Sequence, residues 1–146
     1  MLKQYLSEIA NTTIQGDARE ESYYPHLSNL VKAFSDSIGK TKTHITILPK
    51  KTEAGNPDFR IWDGQLNIIG YIEAKVPGAD LNKIEASEQL KRYRDTFPNV
   101  ILTDYYEFRL YRNGKLIEKT TMNRLEYLES PSRFTKEESE NNNPKK

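Results

Sequence analysis

The chain has 146 residues, 36% hydrophobic and 29% charged, which is room for one domain with a real core. It has no cysteine and only two histidines, which excludes disulfides, thiolate chemistry and the usual zinc sites, so any metal must be held by oxygen. A net charge of +1 gives no overall pull on nucleic acid. No apolar run of membrane-spanning length and no leader-like opening is present, so no membrane partner and a cytoplasmic location are expected.

Leu2, Tyr5, Leu6 and Ile9 recur at helical spacing, and Gly16-Asp17 breaks that helix. Asp17 is expected to cap a second helix whose stripe is Tyr23, Leu27, Leu30, Val31, Phe34 and Ile38, stopped by Gly39. Pro25 within that pattern either kinks the helix or starts its regular part. Thr43 to Leu48, "THITIL", alternates and is β-branched, so it reads as a first strand. A turn-rich loop follows, then "FRIW", Asp63-Gly64 and "IIGYIEAK", a predicted hairpin ending at Lys75.

Asp80 can cap the next helix, with Ala86, Leu90, Tyr93 and Phe97 on one face and Gln89 one turn before Tyr93. "VILT", Val100 to Thr103, has the continuous apolar character of a buried central strand. Glu107 to Arg112 and Lys115 to Lys119, joined by Asn113-Gly114, give the strongest hairpin signal. The expected fold is therefore α/β, a central mixed sheet flanked by helices in the order α, α, β, β, β, α, β, β, β. The domain is expected to fill residues 1–120, and 121–146 to hold a last helical turn at Leu125 and Leu128 and a disordered tail.

The chemistry concentrates between Asn56 and Lys75. Glu73 and Lys75 share one face of a strand, because side chains alternate with period two, and pairing with the preceding strand brings Asp58 beside Glu73. Two carboxylates and a backbone carbonyl suit Mg²⁺, which polarises phosphate and activates water, while a lysine steadies developing negative charge. Taken singly, a Pro-Asp turn or a Glu-x-Lys pair on an exposed strand is common and usually structural. Glu73, however, ends an apolar strand, where an unpaired charge is costly. Basic clusters at Lys40, Lys42, Lys50 and Lys51, at Lys91, Arg92 and Arg94, and at Arg109, Arg112, Lys115 and Lys119 could follow a phosphate backbone, though solvated surface is the commoner role.

"PDF" followed by "EAK", with Asp58 and Glu73 as the spaced acids, resembles the PD-(D/E)xK nuclease superfamily. With "EESYYPHL", "GYIEAKVPGADL", "QLKRY" and "FPNVILTDYYEFRLYRNGK", the stretch from Arg19 to Lys119 looks like the amino-terminal nuclease domain of single-chain Type ISP and Type IIG restriction–modification enzymes. The resemblance implies a restriction-endonuclease-like core and Mg²⁺-dependent cleavage of double-stranded DNA, with Mn²⁺ able to substitute. It implies Asp58, Glu73 and the Ala74 carbonyl as metal ligands and Lys75 as the catalytic lysine. Glu20 would bind metal through water, and Gln89 and Tyr93 would form the Gln-x-x-x-Tyr element near the DNA backbone. It further implies a methyltransferase or specificity partner, with or without a motor, which would choose the site to be cut. The departures, Ala74 where valine is frequent and Glu53-Ala54-Gly55 before the Asp58 motif, touch no liganding side chain. The alternatives are a catalytically silent docking module of the same fold, which would usually have lost one of Asp58, Glu73 or Lys75, and a repair or recombination nuclease.

Overall fold

A computed structural model describes residues 1–122; the helical turn and tail expected beyond Met122 lie outside the described residues. Two helices, α1 (Leu2–Gln15) and α2 (Tyr24–Ser37), precede strands β1 (His44–Ile47), β2 (Phe59–Trp62) and β3 (Ile68–Ala74). Helices α3 (Leu81–Glu85) and α4 (Glu88–Thr96) then lead to β4 (Asn99–Thr103), β5 (Glu107–Arg112) and β6 (Lys115–Thr121). The six strands form one sheet in sequence order, antiparallel throughout except for the parallel β3–β4 pair. A parallel pair requires a crossover, and α3 and α4 supply it.

The sheet separates two apolar layers. Tyr5, Leu6, Ile9 and Ala10 of α1 and Tyr24 and Leu27 of α2 pack on Phe59, Ile72 and Ala74. On the opposite face, Leu81 of α3 and Leu90 and Tyr93 of α4 pack with Phe97 on Tyr71, Val100, Leu102 and Tyr111. Alternation along β3 assigns the faces: Ile72 and Ala74 go to the first layer, Tyr71 to the second. The fold class is as the sequence implied, a mixed sheet with helices on both sides, and it is restriction-endonuclease-like.

Local expectations differ in four places. Asp17 caps nothing regular. A 3-10 turn over Glu20–Tyr23 intervenes, closed by the Arg19 amide donating to Ser22 Oγ at 3.0 Å, and Pro25 begins α2 rather than kinking it. Phe34 and Ile38, placed on the buried stripe, are exposed; at the end of α2 it is Ser35 that faces inward, bonded to Thr43, and Ile38 lies past the last turn. The single helix expected after Asp80 is two. Ser87 Oγ accepts from the Leu90 amide and donates to the Ile84 carbonyl, ending α3 and capping α4, and Ala86 is consequently exposed. Arg109, grouped with surface basic residues, is buried on Glu85, Glu107 and Asn82 and is not available to phosphate. The β5–β6 hairpin turns as expected, with both Asn113 and Gly114 at positive φ.

Candidate active site

The residues singled out in the sequence meet at the end of the sheet where the parallel pair β3–β4 terminates. The β2–β3 register pairs Phe59 with Ile72, so the residue before β2, Asp58, sits across from Glu73. Asp58 is buried and held at both oxygens. Oδ2 accepts the Ala74 amide at 2.8 Å and Oδ1 accepts the Tyr24 hydroxyl at 2.6 Å. A carboxylate has about four lone-pair positions, so each Asp58 oxygen keeps one for a further partner. In an extended strand a residue's amide and carbonyl point the same way, so the Ala74 carbonyl faces Asp58 while the Lys75 amide turns to the Thr103 carbonyl, 2.8 Å away.

Glu73 is 3% exposed, and its two oxygens are used differently. Oε2 lies 3.0 Å from Lys75 Nζ, whereas Oε1 is buried with no hydrogen-bond partner. Burial, and then the neighbouring Asp58, push the Glu73 carboxyl up to about 7, against the opposing pull of Lys75. Burial pulls the Lys75 ammonium down, but Glu73, Glu20 and Asp58 more than offset it, so the lysine is held above its ordinary pKa and remains a cation at neutral pH.

Glu20 opens the 3-10 turn before α2 and is partly buried. Burial raises its pKa; Lys75 opposes that and Asp58 adds to it, which places Glu20 within electrostatic reach of both. Tyr93 projects from α4 into the same region, fully buried, with its hydroxyl lacking a hydrogen bond. Burial, then Glu73 and Asp58, push that phenol up to about 12, and Gln89 is near enough to oppose the shift without closing a hydrogen bond to it. Gly55, at φ 125°, leaves room for the Tyr93 ring: an added Cβ would stand 3.4 Å from both its edge and its hydroxyl. All seven expected site residues, Glu20, Asp58, Glu73, Ala74, Lys75, Gln89 and Tyr93, therefore belong to one neighbourhood.

Among the described residues no group of three histidine or acidic side chains converges on one point. The donors that do converge are two carboxylates and a strand-end carbonyl, all oxygen. That set suits Mg²⁺ or Mn²⁺, which bind few protein groups and keep several waters. The bare Glu73 Oε1 is the feature that most directly fits a cation, since a buried carboxylate oxygen without a proton, a donor or a metal is strongly disfavoured. Tyr24 was not among the site residues expected from the sequence. The usable signal was its place four residues after Glu20, together with the requirement that a buried phenol find a partner.

The restriction-endonuclease-like fold has a solved counterpart. The cryo-EM structure of the DrdV–DNA complex superposes with a TM-score of 0.62 over 82% of this chain, at 22% sequence identity. The matching region is 12% of that chain, so this chain spans a small part of the protein it resembles. No family model and no curated protein matches the chain.

Proposed function

We propose that the chain is a Mg²⁺-dependent endonuclease module that hydrolyses phosphodiester bonds in double-stranded DNA, serving as the cleavage part of a restriction–modification enzyme. The observation that carries this reading is the divided carboxylate of Glu73: Oε2 is bound to Lys75, and Oε1 is buried and bare opposite Asp58. The likeness to a structure determined with DNA supports the substrate class; the choice of cutting site is assigned to a methyltransferase or specificity domain or subunit.

Asp58, Glu73 and the Ala74 carbonyl would hold the cation, Mg²⁺ or Mn²⁺. When bound, it would polarise the scissile phosphate and lower the pKa of an adjacent water. Lys75 is anchored by Glu73 and stays protonated, so it acts as a cationic donor toward the phosphate and the attacking water rather than as a base. Glu20 accepts from the surrounding water from the α2 side, and Tyr93 offers a protonated hydroxyl from the α4 side. Exposed Lys50, Lys51, Lys91 and Arg92 are left for the DNA backbone, and base recognition is assigned to the partner.

Incubation of the purified chain with plasmid and Mg²⁺ or Mn²⁺ tests the reading, alone and joined to its neighbouring domains. Asp58→Ala and Lys75→Ala should each lower cleavage by at least about 100-fold, the usual loss on removing one group that stabilises a transition state. Cleavage that persists in either variant rejects the mechanism. A chain that binds neither cation in a calorimetric titration is a docking module.

A further inference from the structure

We propose that Tyr24 is the positioning residue of this site, fixing the Asp58 carboxylate in the orientation in which it meets the cation, an inference that rests on the metal-site reading above. Two contacts of one side chain, and its place in the chain, carry it. The Tyr24 hydroxyl donates to Asp58 Oδ1 at 2.6 Å, and the phenol is 4% exposed, so water does not compete for the bond. Its ring packs edge-on against Phe59, with centroids 5.0 Å apart and planes at 69°, and Phe59 directly follows Asp58. Tyr24 is also the first residue of α2, immediately after the turn that Glu20 opens.

Geometry then assigns the role. Asp58 directly precedes β2, and the plane of its buried carboxylate is set by the groups its two oxygens bond. The Ala74 amide ties Oδ2 from within the sheet, and Tyr24 ties Oδ1 from the helical layer. The plane of the carboxylate is fixed by two bonds from two different layers. Glu73 is held by a donor at Oε2 only, from Lys75, with the Asp58 carboxylate, itself an acceptor, beside it. Asp58 is thus the preset ligand and Glu73 the one that adjusts. The same bond joins Asp58 to the first residue of α2, directly after the turn that Glu20 opens.

Tyr24→Phe removes the hydroxyl and keeps the ring contact with Phe59. Calorimetric titration with Mn²⁺ and Mg²⁺ alone, without DNA, should show binding weakened roughly 10-fold or more, as is usual when a partner that orients a ligand is lost. Tyr5→Phe is the control for a merely structural role. It loses a buried hydroxyl bond of the same length, 2.6 Å to the Tyr105 carbonyl, with no carboxylate involved, and should lower Tm while leaving metal affinity at the wild-type value. Wild-type affinity in Tyr24→Phe, or equal weakening in both variants, overturns the positioning role alone. A wild-type chain that binds neither ion overturns the metal-site reading and this proposal with it.

Discussion

A buried carboxylate with one oxygen paired and the other bare is stable only when a proton or a cation reaches the bare oxygen. In the absence of metal, Glu73 meets that requirement with a proton, because burial and the facing Asp58 raise its pKa above the ordinary value. The sign for stability follows. The neutral form is favoured in the folded state, so its contribution is complete below the unfolded value of about 4.3 and is lost as pH rises toward 7. In chelator, Tm should therefore fall across that window, and Glu73→Gln should flatten the fall and raise Tm at pH 8. Thermal melts at half-unit pH steps read this directly. An identical slope in the variant would remove Glu73 as its source. The same substitution should abolish Mn²⁺ binding, since an amide oxygen is a poor replacement for a charged ligand beside Asp58.

At the scale of elements, the break between α3 and α4 aims Gln89 and Tyr93. Were Leu81 to Thr96 one continuous helix, the faces of its two halves would be in register, and Ala86 would lie on the buried stripe. Ser87 instead caps α4 afresh, and Ala86 is exposed while Leu90 and Tyr93 are buried. Ser87→Ala should cost about 1 kcal/mol, the typical value of an N-cap, measured by urea denaturation. Because Ser87 lies well outside the ligand set, Mg²⁺ affinity should change far less than stability does; a parallel collapse of affinity would show that α4 is anchored to the site chiefly by its cap. The starts of the 3-10 turn and of α4 share a device: Ser22 Oγ accepts the Arg19 amide and Ser87 Oγ accepts the Leu90 amide, so a serine hydroxyl satisfies a free backbone donor at each.

At the scale of the whole molecule, the site lies where both helical layers and the sheet meet, so a cation held there would link occupancy to folding. Tyr24 comes from one layer, Tyr93 from the other, and Asp58, Glu73 and Lys75 from the sheet between them. A cation bound only by the folded state should raise Tm, by about 2.7 kcal/mol of added stability at 100 times its Kd. The sign of its pH dependence opposes that of the metal-free chain. Binding must displace the proton from Glu73, so the increment from Mg²⁺ should grow as pH rises from 5.5 to 8. Differential scanning calorimetry with and without Mg²⁺ at those two pH values checks it; an increment that does not vary with pH would place the cation away from Glu73.

Periodicity, and the chemistry attached to it, was legible in the residues alone. The alternation in "IIGYIEAK" put Glu73 and Lys75 on one face, the Asn113-Gly114 turn fixed the last hairpin, and the oxygen-only donor set followed from composition. These are local properties, set by bonds between near neighbours in the chain. It took the packed fold to show which carboxylate oxygen is bare, that Tyr24 holds Asp58, and that Arg109 is enclosed by Glu85 and Asn82 instead of facing solvent. Each of those depends on how the layers stack at one end of the sheet, on contacts between residues tens of positions apart, and periodicity along a single element carries no record of them.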